Sequence, residues 1–236
     1  DLINRKTYNE DGVGGMHVYS PWWLDNKKLD FPRGYHIEIG RSFTMPEYGF
    51  GYNPNELNRF FGLKVGGYGD KLRQDVKKYY GSTIGLSGRG EAIPRKDNYC
   101  EIDPDTKDKW GIPVLKFRYK WSDHEIKQVK HMHDTFEELA HNMGGIALGN
   151  KPTKEQNYGI SAPGEIIHEV GTTRMGDDPY KSVVNKYERL HDVDNVYIVD
   201  GGPFVSQADK NPTWTIMALS WRTSEHIIDQ LKKQNI

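Results

Sequence analysis

The sequence has very little cysteine: Cys100 alone among 236 residues, which excludes an internal disulfide framework and any cysteine-rich metal centre. No run approaches the roughly 18 consecutive apolar residues that cross a bilayer, so a soluble chain without a membrane span is expected. Charge of one sign is missing too. The 32 Lys and Arg are balanced by 33 Asp and Glu, and a net charge of -1 offers no field for capturing nucleic acid or an anionic membrane. A small, neutral partner fits this balance better. The opening stretch, Asp1-Leu2-Ile3-Asn4-Arg5-Lys6, has neither an initiator Met nor a charged-then-apolar signal pattern, and the true N-terminus is expected to be missing from it.

What is present supports a folded core, with 36% hydrophobic residues in a length between the usual sizes of one domain and two. Up to about residue 68 the chain is rich in Gly, Pro and aromatics. There Met16-His17-Val18-Tyr19 and the alternation of Tyr35, Ile37 and Ile39 with His36, Glu38 and Gly40 predict short strands. A short helix is expected near Asp70 to Tyr80, then a glycine-dense stretch from Gly81 to Gly90. A strand around Asn98 to Asp103 should close at the turn Asp103-Pro104-Asp105. Another should run from Pro113 to Trp121, with Leu115, Phe117, Tyr119 and Trp121 on one face and Lys116, Arg118 and Lys120 on a wet one.

Ser122 stands three residues before Glu125, a capping-box spacing that satisfies free donors at a helix start. Ile126, Val129, His133, Phe136, Leu139 and Ala140 supply an apolar side, and Gly144-Gly145 a stop. Four histidines, His124, His131, His133 and His141, lie on or near this helix. None is three or four positions from another, so no metal site is expected on it. Residues 150–164 are polar and predict a linker or a loop between layers. Further on, Val193 to Val199 predicts a short strand ending in Asp200-Gly201-Gly202-Pro203. A long helix should begin at Asn211-Pro212 and run to about Lys232, with Asn as cap and Pro at the first helical position. Trp214, Met217 and Trp221 on that helix are expected to pack in the core.

Two segments concentrate unusual residues: His168-Glu169-Val170-Gly171-Thr172-Thr173-Arg174-Met175-Gly176, and Asn211-Pro212-Thr213-Trp214-Thr215. Between them lies Asn195-Val196-Tyr197-Ile198-Val199-Asp200-Gly201-Gly202. A His before a Gly-Thr loop, a strand ending in Asp-Gly and an Asn-Pro-Thr helix start, in this order, closely resemble the C-terminal signature of glucose-methanol-choline (GMC) oxidoreductases. The resemblance is firmest from about Ser161 onward and extends more weakly back to Gly90-Glu91-Ala92-Ile93-Pro94-Arg95.

The resemblance implies an α+β architecture: an antiparallel-sheet substrate domain with flanking helices over 1–160, then the C-terminal part of an FAD-binding α/β domain over 161–236. It implies FAD as cofactor, an alcohol or sugar as substrate, and an electron acceptor that stays open. His168 and Asn211 would form the catalytic pair, with Asp200, Gly201, Pro212 and Thr213 lining the flavin. The chemistry suits these residue types. Hydride loss from an alcohol requires the hydroxyl proton to leave, imidazole is the natural acceptor near neutral pH, and an amide can donate to the same oxygen without competing for the proton.

A dinucleotide also needs a strand, a Gly-x-Gly-x-x-Gly turn and a helix N-terminus for its pyrophosphate. No segment supplies that unit, and Gly12-Val13-Gly14-Gly15 does not qualify. The N-terminal Rossmann-like half is therefore expected outside this chain. Two other readings stay open: a non-catalytic carbohydrate-binding module, and an inactive remnant of the family. Trp22, Trp23 and Tyr35 are candidates for a sugar-stacking surface or for core packing.

Overall fold

The computed structural model describes residues 16–19, 26–41, 68–79, 84–147, 150–165 and 167–235. It contains β1 (Met16–Tyr19), β2 (Tyr35–Arg41), α1 (Gly69–Tyr79), β3 (Ile84–Gly90), β4 (Tyr99–Lys107), β5 (Pro113–Arg118), α2 (Asp123–Asn142) and α3 (Thr213–Lys232). The mixture of helices with antiparallel sheets is the expected α+β composition. Packing divides the chain into two compact units: Asp1–Gly90 with Ile126–Ile160, and Glu91–Glu125 with Ser161–Ile236. Trp22 and Trp23 lie outside the described residues.

In the first unit β1, β2 and β3 form one antiparallel sheet in that spatial order. Because a strand turns successive side chains to opposite faces, Tyr35 and Ile37 reach the core on one side, where they meet Phe31, Val129 and Met132, with Ile39, Leu86 and Phe136 packed around them. Tyr35 is thus a core residue and no stacking surface. Its hydroxyl lies 2.8 Å from both His131 Nδ1 and Thr135 Oγ1. Burial pushes this phenol well above the usual tyrosine range, against the lowering effect of the Thr135 hydrogen bond.

The strand β3 falls in the stretch where the sequence showed only dense glycine, and the packing explains both facts. Gly90 stands opposite Tyr35 and Gly88 opposite Ile37, on the face that α2 covers. A Cβ at Gly90 would lie 1.8 Å from Gln128 Oε1, and one at Gly88 would lie 2.4 Å from Met132 Sδ. Gln128 cannot swing aside without losing the hydrogen bond it donates to Gly34 O at 3.0 Å. The low strand propensity of glycine is offset by a close approach that only glycine permits.

Helix α2 begins and ends as its sequence dictates. The Glu125 carboxylate accepts from Ser122 N at 2.7 Å, from the Ser122 hydroxyl, and from Ile93 N at 3.2 Å. The box is therefore one-sided, with glutamate collecting the donors. At the other end Gly144, at φ 68°, donates to His141 O, and Gly145 donates to Ala140 O at 2.8 Å. These two bonds form a Schellman motif. The inner face carries Gln128 and Thr135 beside Val129 and Met132, so the periodicity located the helix but not its buried polar residues.

In the second unit β4 and β5 pair antiparallel, with Cys100 opposite Phe117 and Ile102 opposite Leu115. The Asp103 turn is absorbed into β4 as a register shift, where Asp103 Oδ1 accepts from Asp105 N and Thr106 N. β5 stops at Arg118, three residues earlier than expected, and its apolar face is open: Ile102, Leu115 and Phe117 are all exposed. Beyond residue 161 the predicted strand Val193–Val199 is reduced to an isolated bridge between Arg189 and Tyr197. Trp214, Met217 and Trp221 are exposed on α3 rather than packed in the core.

Two outcomes follow for stability. Gly90→Ala should cost about 1–3 kcal/mol in denaturant unfolding through overpacking, whereas Gly85→Ala, with no atom near its Cβ position, should cost far less. For Glu125, burial disfavours the ionised carboxylate, but the Ser122 and Ile93 hydrogen bonds outweigh it and hold the group below its ordinary range. A depressed carboxyl stabilises the fold above its unfolded pKa and loses that contribution as pH falls through the folded value. Glu125→Gln should therefore flatten the acid limb of a stability–pH curve.

Candidate functional site

The catalytic and flavin-lining residues proposed from the sequence all lie in the second unit. The His168 loop runs alongside the Asp200 turn and donates three backbone hydrogen bonds to it: Gly171 N to Gly201 O at 3.1 Å, Thr173 N to Gly202 O at 3.1 Å, and Met175 N to Pro203 O at 2.8 Å. Both strands of this contact are irregular, so periodicity could not reveal it. Gly201, Gly202 and Pro203 are buried. Asp200 Oδ1 accepts from Gly202 N at 2.7 Å and folds the turn back on itself, a short-range bond typical of Asp at turns.

Gly201 is the point where three segments meet. A Cβ there would lie 3.0 Å from Val170 Cγ1, 3.4 Å from Glu169 O and 3.6 Å from Ile216 Cδ1. Val170 and Glu169 follow His168 directly, and Ile216 belongs to the first turn of α3. The structure thereby brings the His-Gly-Thr loop, the Asp-Gly turn and the start of the last helix to one place. Gly202 is tighter still, since a Cβ would fall 2.3 Å from Thr173 Oγ1 and 2.8 Å from Asp200 Oδ1.

His168 is exposed, at φ 81°. The left-handed region is uncommon for a non-glycine residue, costs on the order of 1 kcal/mol or more, and clusters at functional sites. Beside it, Glu169 contributes to the environment of Tyr119. Burial raises that phenol above its ordinary range, Glu125 and Glu169 add to the shift, and Arg95 opposes it.

Asn211 is exposed and does not cap α3. The cap position is Pro212, at φ -83° and ψ -14°, and no side chain makes a cap hydrogen bond there. The first turn instead closes through Ile216 N to Pro212 O at 3.0 Å. Pro212 is buried and Thr213 exposed.

Several residues that hold the site together carried no sequence signal. Helix α3 is fastened to 185–199 by Ser220 Oγ to Val199 O at 2.8 Å and by Thr223 Oγ1 to Glu188 Oε2 at 2.7 Å, with Glu188 and Thr223 both buried. The ring of His226 stacks on Tyr187 at 3.7 Å. Ser182 and His191 are 2.9 Å apart but are structural. His191 Nε2 also lies 3.1 Å from Gly176 O, which can only accept, so that nitrogen carries the proton and is no base for Ser182.

The chain belongs to the GMC oxidoreductase family, whose model matches residues 94–220. It is 27% identical over 217 residues to 2-methyl-1,2-propanediol dehydrogenase of Mycolicibacterium austroafricanum, covering 92% of this chain and 37% of that protein. It is 26% identical over 240 residues to the fructose dehydrogenase large subunit of Gluconobacter japonicus, covering 99% of this chain and 42% of that protein. A pyranose 2-oxidase of Lyophyllum shimeji is 29% identical over 149 residues, with coverage of 63% and 23%. The chain thus spans about two fifths of the length of the first two relatives. No helix among the described residues is long and apolar enough to cross a membrane.

The buried Thr173 Oγ1 has no hydrogen-bond partner in the structure, and Gly201 and Gly202 keep backbone where side chains would intrude. Gly202→Ala should destabilise the protein by about 1–3 kcal/mol. Adding Thr173→Ala should recover part of that loss, because the two positions collide directly. Strict additivity in a double-mutant denaturation cycle would contradict the close approach.

Proposed function

We propose that the protein to which this chain belongs is an FAD-dependent oxidoreductase that converts the CH–OH group of an alcohol, sugar or polyol to a carbonyl. The observation that carries this reading is the convergence of the His168 loop, the Asp200-Gly201 turn and the first turn of α3 on Gly201. Family membership supports it.

In this reading His168 is the general base that takes the hydroxyl proton of the substrate, and it stands exposed on a left-handed backbone. Asn211, whose side chain is not spent on capping the helix, donates a hydrogen bond to the same substrate oxygen and steadies its developing negative charge. Asp200, Gly201, Pro212 and Thr213 line the flavin, with the N-terminus of α3 favouring negative charge nearby. A flavin bound there would supply the acceptor for the hydride of the alcohol carbon.

We assign the substrate side to 1–160 and the closing segment of the FAD domain to 161–236. The pyrophosphate-binding half is placed outside these 236 residues, since they hold no Gly-x-Gly-x-x-Gly turn. Two features support that placement: the relatives are more than twice as long, and α3 exposes Trp214, Met217, Trp221, Ile228 and Leu231. An uncovered apolar stripe of this kind marks an interaction face. The 236-residue piece on its own is then a poor flavin binder.

In the flavin-loaded full-length protein, His168→Ala should lower turnover of an alcohol or sugar substrate by about 10²- to 10⁴-fold with flavin content unchanged. Asn211→Ala should lower it by about 10²- to 10³-fold. Full activity of the His168→Ala protein would refute the assignment, and a full-length protein that neither binds flavin nor oxidises alcohols would refute the enzyme itself.

A further inference from the structure

We propose that His17, His36 and Glu38, on the sheet of the first unit, bind a divalent transition-metal ion with the ligand preference of zinc. The topology brings them together although two of them stand 19 residues or more from the third along the chain. His36 and Glu38 alternate with Tyr35, Ile37 and Ile39 along β2, so they share the face turned away from the α2 core. The antiparallel register sets His17 of β1 directly opposite Glu38, and Tyr19 opposite His36.

Each of the three residues offers one donor atom, and these atoms all lie within 4.8 Å of one another. Glu38 Oε1 is central, 3.6 Å from His36 Nε2 and 4.0 Å from His17 Nδ1. Ligands of a tetrahedral ion with bonds of about 2.0–2.2 Å sit roughly 3.3–3.6 Å apart; Glu38 and His36 at 3.6 Å already have that spacing, and His17, at 4.0 Å from Glu38, must move inward to close the site. The two imidazoles stack at 5.2 Å with planes 29° apart, and Tyr19 walls them at 5.1 Å from His36.

The carboxylate is oriented for this task. Arg89 Nε donates to Glu38 Oε2 at 3.1 Å, leaving Oε1 turned toward the histidines. Holding the far oxygen of a ligating carboxylate is the usual work of an outer-shell donor. Arg89 also brings a positive charge that opposes the ion, and its position on the other oxygen keeps it on the far side of the carboxylate. His36 is 1% exposed, while the side chains of His17 and Glu38 are 30% and 26% exposed, so the site has a buried anchor and an open approach. Two nitrogens and one oxygen suit zinc or cobalt, and three protein ligands leave one position for water. Neither the helix histidines nor any Cys contributes, which is why linear spacing gave no sign of it.

The test uses the full-length protein, freed of metal by chelator dialysis and titrated with Co2+ and then Zn2+. One equivalent of Co2+ should bind, with the visible ligand-field bands of a four- or five-coordinate ion, and Zn2+ should displace it. His17→Ala and Glu38→Gln, both partly exposed positions, should each weaken Zn2+ binding by about 100-fold. His141→Ala at the exposed end of α2 should change nothing. Absence of a stoichiometric site, or equal affinity in the His17→Ala and Glu38→Gln proteins, would overturn the proposal.

Discussion

The second unit depends on a steric constraint at Gly201 and Gly202. Backbone from the His168 loop and from the Asp200 turn is locked together through Gly171, Thr173 and Met175, and the space a Cβ would need is already filled by Val170, Thr173 and Asp200. Close approach without side chains is what lets two irregular segments pair, where regular strands would have needed longer runs and a fixed register. Once they are paired, α3 has a defined place to start, and Ser220 and Thr223 fasten it to the segment below.

A similar economy governs the first unit. There β3 tolerates Gly88 and Gly90 because α2 lies directly over them, with Gln128 and Met132 occupying the volume that larger residues would have used. Buried polar groups on α2 find partners across the layer, as Gln128 does with Gly34 O and Thr135 with the Tyr35 hydroxyl. Such bonds keep the cost of burying amide and hydroxyl groups low.

Elements with a strong local period were legible from the sequence. The alternation of β2, the one-sided capping signal at Ser122 and Glu125, and the Gly144-Gly145 stop all predicted what the backbone does. Features set by tertiary contact were not legible. Glycine density hid β3, because propensity carries no information about the helix lying above it. Val193–Val199 has the apolar content of a strand, yet its neighbours offer only one bridge at Tyr197. Asn211-Pro212 has the composition of a cap, but the backbone turns one residue later and leaves the asparagine outside. The exposed Trp214, Met217 and Trp221 show the opposite limit: apolar spacing announces a buried face without saying what buries it.

For the site, chain order supplied the candidates and the fold supplied their meeting point. His168 and Asn211 belong to segments that both reach Gly201, and it is this shared neighbour, rather than either residue type, that supports the proposal of His168 as base, Asn211 as hydrogen-bond donor and the Asp200-Gly201 turn as flavin-facing. The most direct measurement is a crystal structure of the flavin-loaded full-length protein with an unreactive alcohol analogue. The account predicts one imidazole nitrogen of His168 and the side-chain amide of Asn211 within about 3.2 Å of the same hydroxyl oxygen. An analogue hydroxyl held by other groups, with His168 and Asn211 facing separate surroundings, would contradict it.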